Sequence, residues 1–349
     1  MGGSGEKRMG RRRLLACGLG VAAGMAAGVA GCGTERAGGV LRTGFLIHAS
    51  GHRWDRAGKA FADAARTMGF TPDGRQVAEA EVPAGARPTA THGPSPGADA
   101  PVITVTGLAA LAAAELNKGR SLVETATPLA RLSGQVEVVV VSDRSPLKAF
   151  DDLGAGLLAA PGRTPLAGGP QGEPDHLLFG LIARALGADG RQVDYTGYSS
   201  SGGAASALLA GKAVAVAGPL TEWRSAIGRG QVRALAVSSA QRVPDLDVPT
   251  LLECGVRVDF ADWTAAFGPE KMSDADRDAA VRMCGQVTGS SVWEAACRAA
   301  GWLPIPLLGD DFARWLRTEV ARTRAVLRDL GLLDSTKATT CWGSCGNGH

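Results

Sequence analysis

The sequence predicts an α/β architecture built on mostly parallel sheets. Short apolar, β-branched runs alternate with stretches of helical spacing along most of the chain. Glu137–Ser142 (EVVVVS) is a near-continuous apolar run, as expected of a strand covered on both faces. Beyond Phe267 the alternation gives way to helices. A length of 349 residues allows one large or two medium domains, and a hydrophobic content of 45% supplies ample core.

Taken in order, Val40–Ile47 reads as a first strand. Asp55–Met68 places Ala60, Phe61, Ala64, Ala65 and Met68 on one helical face. Residues 83–101 are rich in Pro, Gly and Ala and read as an irregular surface loop. Val102–Thr106 is a strand and Leu108–Leu116 a helix. After Glu137–Ser142 comes a strand ending at Leu166–Gly169, then a helix over His176–Leu186. Ala204–Leu209 (helix), Ala213–Ala217 (strand), Trp223–Ile227 (helix) and Val232–Ser238 (strand) continue the alternation. Ser273 with Asp276 makes a capping box for a helix over Asp274–Val287. Ser290–Ala300 and Asp310–Leu330 are the last helices. The stripe Phe312, Trp315, Leu316, Val320 and Leu327 reads as core packing, and Gly331 as a C-cap. No internal repeat is evident.

The N-terminal region reads as a leader. Arg11-Arg12-Arg13 precedes an apolar, Gly-rich stretch from Leu14 to Ala30, too short for a comfortable membrane span. Val29-Ala30-Gly31-Cys32 resembles a bacterial lipobox, so residues 1–31 are expected to be a signal peptide, exported by the general or the twin-arginine route. Cys32 is the expected lipidation site and 32–39 a tether to the membrane surface. The first 31 residues carry +4, which leaves about −1 for the rest of a chain whose net charge is +3. That balance gives no support to nucleic-acid binding. Cys254, Cys284, Cys297, Cys341 and Cys345 remain, an odd number. Export permits disulfides; Cys284 with Cys297, and Cys341 with Cys345, are the candidate pairs. Cys341, Cys345 and His349 match no common zinc spacing, and no metal is expected. The tail 336–349 is Gly-rich and reads as flexible.

Residues 233–255 (RALAVSSAQRVPDLDVPTLLECG) read as a buried strand, a surface turn and a Pro-led helix start. Arg242, Pro244, Asp245, Val248, Pro249, Thr250, Leu251, Glu253 and Gly255 closely resemble the signature of the solute receptors of tripartite tricarboxylate transporters, the Bug/TctC family. Further segments are similar: Thr127-Pro128-Leu129-Ala130-Arg131-Leu132, Ser145-Pro146-Leu147-Lys148, Gly168-Gly169 through His176, and Asp262-Trp263 through Pro269. The resemblance covers roughly residues 44 to 333. It implies a two-lobed fold of the type II periplasmic-binding-protein kind, with lobe 1 at 40–140 plus 261–335 and lobe 2 at 141–260.

Three loops at strand ends are candidate binding elements. In Ala49–Asp55, backbone N–H groups at a helix start suit an anion. Gly51 and Asp55 match the family's loop; His52, Arg53 and Lys59 replace its Gly, Gly and Arg. His52 and Arg53 either contact a multiply charged acid or point to solvent. Ser50 and Thr106 are further candidate contacts. The second loop is Gly168–His176, with Gly169, Gln171 and Gly172 offering N–H groups and Asp175 either lining the site or capping the helix. The third is Gly197–Gly203, where Tyr198, Ser200 and Gly202 are candidates, or an ordinary flexible turn.

The resemblance implies a binding module: a monomeric, lipid-tethered receptor outside the cytoplasmic membrane. It would close its lobes on a small dicarboxylate or tricarboxylate and deliver it to integral-membrane permease subunits. It implies no enzymatic activity and no cofactor. A secreted serine hydrolase using Ser199–Ser201 with His176 and Asp175 is the contrasting class, but no Gly-x-Ser-x-Gly elbow exists. A receptor presenting ligand to a sensor kinase stays open. No Gly-x-x-x-x-Gly-Lys-Ser/Thr loop is present, so ATP hydrolysis is not expected.

Overall fold

The computed structural model describes residues 44–70 and 101–333, all within one compact unit. The leader, Cys32, the tether, most of the 83–101 loop, the tail, Cys341, Cys345 and His349 lie outside the described residues.

Two five-stranded mixed sheets form the frame. In the first, β1 (Leu46–Ala49), β2 (Val102–Gly107), β3 (Ala126–Gln135), β9 (Asp262–Pro269) and β10 (Leu303–Leu308) have the order β1-β2-β9-β3-β10. In the second, β4 (Glu137–Ser142), β5 (Leu166–Gly168), β6 (Tyr195–Gly197), β7 (Ala215–Pro219) and β8 (Val232–Val237) have the order β6-β5-β7-β4-β8. The α/β class holds, but mostly parallel pairing does not. Among the described residues only β1–β2, β5–β6 and β5–β7 are parallel; every other neighbouring pair of these strands is antiparallel. Antiparallel pairing arises because the chain crosses directly from β3 to β4 and returns at β9, with no helix turning it round. A boundary at residue 140 cuts through β4, the whole of which is a strand of the second sheet.

The helices are α1 (His52–Thr67), α2 (Leu108–Leu116), α3 (Leu122–Thr125), α4 (Phe150–Ala159), α5 (Pro174–Leu186), α6 (Ser201–Leu209), α7 (Leu220–Gly228), α8 (Asp274–Thr288), α9 (Ser291–Ala300) and α10 (Gly309–Asp329). One core packs α1, α8 and α9 on the first sheet around Phe61, Leu129, Met283 and Trp293. A second packs α6 and α7 on the outer face of the second sheet around Val138, Val140 and Trp223. The largest joins the two sheets through α2, α4, α5 and α10, and includes Val139, Leu178, Phe179, Trp263, Phe312 and Leu327. The α10 stripe is thus core, as its spacing predicts. Ser273 caps α8 by accepting the Asp276 N–H.

Several local expectations change. α1 begins at His52, so His52, Arg53 and Asp55 belong to its first turn and not to a loop. The Pro249 segment forms no helix. Thr250 bridges to Val237, and Thr250 and Glu253 exchange backbone-to-side-chain hydrogen bonds in a single turn that stops at Gly255. Arg242 clamps that turn by donating to Glu253 and Asp247. Cys284 and Cys297 are buried free thiols, not a disulfide. Burial pushes their pKa values up to about 12 and about 11, so both stay protonated and act as small apolar residues.

Candidate functional site

The parallel pair β1–β2 ends at Ala49 opposite Val105. The next residues, Ser50 and Thr106, carry hydroxyl oxygens that are buried and without a hydrogen-bond partner. Gly51 follows as the N-cap of α1, and no side chain caps that helix. Two hydroxyls, a helix N-terminus and the Arg53 cation therefore share one end of the first sheet.

Arg53 does not point into solvent. Its guanidinium donates to Glu173 Oε2 at 2.8 Å and to Asp262 Oδ2 at 2.9 Å. Glu173 precedes α5, which packs on the second sheet, and Asp262 opens β9 of the first. The candidate loops 51–55 and 168–176 therefore meet, with Arg53 as the link. Burial works against the charge of Arg53, but the attraction of Asp262 and Glu173 outweighs it and the pKa rises. His52 lies on the outer side of the same turn, within 3.1 Å of Asp55, both well exposed.

The second loop spends its donors internally. The Gly169 N–H donates to Asp175 Oδ2 at 2.6 Å, and the Gly172 N–H to His176 Nδ1 at 3.1 Å. Gly172 is buried against Leu116 and Leu327. Neither N–H is available to grip an anion, contrary to the expectation for Gly169 and Gly172. Asp175 does not cap α5, whose N-cap is Glu173; it folds back to close the loop. His176 stacks on Tyr195 with ring centroids 4.0 Å apart, and burial lowers its pKa to about 3. Gln171 is exposed at the loop's tip.

The third loop is tied to the second by the Tyr198 N–H, which donates to the Gly168 carbonyl at 2.9 Å. Ser200 is the N-cap of α6, accepting the Gly203 N–H, and Ser201 donates to Glu222. Gly202 is exposed on α6. An open hollow of about 380 Å³ lined by Tyr198, Gly203, Ser206, Ala207, Ala210 and Lys212 runs along that helix, and Arg53 is not among its lining residues. The hydrolase arrangement is not assembled: His176 and Asp175 bond to backbone groups, and Ser200 and Ser201 are engaged elsewhere.

The sequence reading missed the acidity of this junction. Glu137, at the crossover from β3 to β4, is 0% exposed, and neither carboxyl oxygen has a partner. Burial first, then the nearby Asp175 and Asp262, raise its pKa well above the carboxylate range. Asp175 is pushed up to about 7 by burial, against the Gly169 hydrogen bond and Arg53. Glu173 rises through burial, despite Arg53. A lone acid opening the apolar run EVVVVS was the one available signal for Glu137. Among the described residues no group of His, Cys, Asp or Glu could hold a metal ion.

Residues 118–332 match the model of the tripartite tricarboxylate transporter family receptor. Protein BugT of Bordetella pertussis is 27% identical over 212 residues, 60% of this chain and 64% of BugT. The chain spans less than two thirds of the curated relatives it matches. A TctC solute-binding protein from Polaromonas superposes with a TM-score of 0.61 at 16% identity, covering 82% of this chain and 97% of its own. An R. palustris protein with adipate superposes with a TM-score of 0.57 at 20% identity, covering 83% and 97%. The mixed α/β fold, with two sheets flanked by helices, is shared with these structures.

Proposed function

Because the chain belongs to the tripartite tricarboxylate transporter receptor family, we propose that it is an extracytoplasmic solute receptor for a small carboxylate. It hands that ligand to integral-membrane permease subunits. The lipobox-like Val29–Cys32 supports delivery to the outer face of the cytoplasmic membrane as a lipoprotein. Among the described residues no helix is long and apolar enough to cross a membrane.

The observation that carries this reading is the end of β1 and β2. Buried, unpartnered hydroxyls of Ser50 and Thr106, an uncapped α1 N-terminus and Arg53 together suit one carboxylate. The ligand enters between the two sheets, takes Arg53 from its internal acids and draws residues 51–54 and 169–173 together around itself. Closure is favoured only through contacts better made in the closed form. The ligand contacts are Ser50, Gly51, Arg53 and Thr106, with Gln171 at the rim. Ligand binding to the native state raises apparent stability, so a thermal-shift screen with small carboxylates identifies binders. Arg53→Ala is expected to weaken the best of them at least tenfold, about 1.4 kcal/mol. Unchanged affinity by calorimetry removes Arg53 from the site.

A further inference from the structure

Carboxyl groups outnumber cations where the two candidate loops meet. Glu173 and Asp175 come from the α5 side, Asp262 from β9 and Glu137 from β4, around the single guanidinium of Arg53. Glu137 shares its face of β4 with Val139 and Val141, which belong to the core that α5 packs against. Its carboxyl is therefore held on the side of the sheet where Asp175 and Asp262 lie. It is fully buried with both oxygens unpartnered, and Asp262 Oδ1, also buried, has no partner. Buried polar atoms in native proteins nearly all have a partner, so these oxygens mark a place suited to a donor.

The charge count constrains the guest. A ligand carboxylate that claims Arg53 strips Glu173 and Asp262 of their counter-ion. A dianion adds a further negative charge to the same place. The backbone donors that could have offset it, Gly169 N–H and Gly172 N–H, are already spent on Asp175 and His176. A ligand carrying its own ammonium restores the balance, since one cation enters for each one withdrawn.

We infer that the cleft contains an ammonium subsite, floored by Glu137 and the free Oδ1 of Asp262, so that the ligand is a zwitterionic aminocarboxylate without a second acid group. This rests on the carboxylate-receptor reading above and narrows it. The carboxylate sits at Ser50, Thr106 and Arg53; the ammonium takes the place of the Arg53 guanidinium beside the acids. Besides Arg53 and Asp262, the groups acting on Glu137 are Asp175 and, from α7, Glu222; both are acids, so a cation placed there is favoured over a second anion and draws the Glu137 carboxyl toward its ionised form.

The test is titration calorimetry with chain-matched probes at neutral pH. At four carbons these are succinate, 4-aminobutanoate and butane-1,4-diamine; at six, adipate, 6-aminohexanoate and hexane-1,6-diamine. The aminocarboxylates are expected to bind at least tenfold more tightly than the diacids of the same length. Glu137→Gln, whose thermal unfolding is checked first, is expected to erase that preference by weakening the aminocarboxylates relative to the diacids. Asp262→Asn supplies a second variant should the first not fold, and the wild-type series stands without either. Binding confined to the diacids overturns the ammonium subsite and leaves the receptor reading intact. Binding confined to the diamines keeps the subsite and overturns the carboxylate reading. No binding by any probe counts against both.

Discussion

Asp175 is a carboxyl that folding makes harder to ionise. Its ordinary pKa is 3.8, and burial raises it to about 7 in the native state, with the Gly169 hydrogen bond opposing. Between those values the native protein holds a proton that the unfolded chain has released, so this group lowers stability as pH rises. Glu137 and Glu173 act in the same sense. His176 acts in the opposite one: lowered to about 3 by burial, it makes stability rise with pH up to its ordinary value of 6.5. Asp175→Asn keeps an acceptor for the Gly169 N–H and removes the ionisation. The variant is expected to lose less stability than wild type between pH 4 and pH 7, by up to about 4 kcal/mol. Urea unfolding across that range measures it, and parallel slopes for the two proteins would refute the assignment. The same residues show what a sequence can disclose of a site. Ser50, Arg53 and Thr106 stand out as candidates in the sequence because strand ends and helix starts have recognisable neighbours. Glu137 does not, because a carboxyl becomes a site feature only through what the tertiary fold withholds from it.

Elements were legible in proportion to how local their cause is. β4 announces itself by four consecutive valines, and α8 by its capping serine. β10 (LPIPLL) was missed because two prolines argue against a strand. It is tolerated at the sheet edge, with a register shift between Pro304 and Leu307, where an absent N–H faces no partner. β6 has only three residues and is ordered by its pairing with β5, which no local pattern encodes. The loop between β5 and α5 offers a quantitative check on such non-local causes. Gly172 has φ +82, and a Cβ there would run into Leu116 of α2. Gly187, at the other end of α5, has φ +81 and open space around it. Gly187→Ala is expected to cost about 1 kcal/mol from backbone strain alone. Gly172→Ala adds overpacking and should cost roughly 2–4 kcal/mol in urea unfolding. Equal costs would mean that α2 yields freely and does not hold the loop.

At the scale of the whole molecule, two contacts of different kinds hold the sheets to each other. The core running through α5 and α10 is apolar and extensive, with Gly180 allowing Val326 and Leu330 to approach α5 closely. The Arg53 junction is polar, and the Arg53 side chain keeps 29% of its surface exposed. A hydrophobic interface of that extent does not come apart in a functional cycle, whereas a part-exposed ion pair contributes only about 1 kcal/mol or less. Motion therefore belongs at the mouth formed by residues 51–54 and 169–173, with the large core as its fixed side. Glu173→Gln breaks one of the two bridges and leaves Asp262 to hold the guanidinium, so no charge is orphaned. The expected result is faster amide hydrogen exchange in those two segments, since local opening follows local stability. The urea midpoint should move by no more than about 1 kcal/mol in free energy. Exchange that stays at the wild-type rate would mean that packing of Gly172 against α2 and α10, and not Arg53, keeps the mouth closed. In that case entry of a solute would require the core itself to yield.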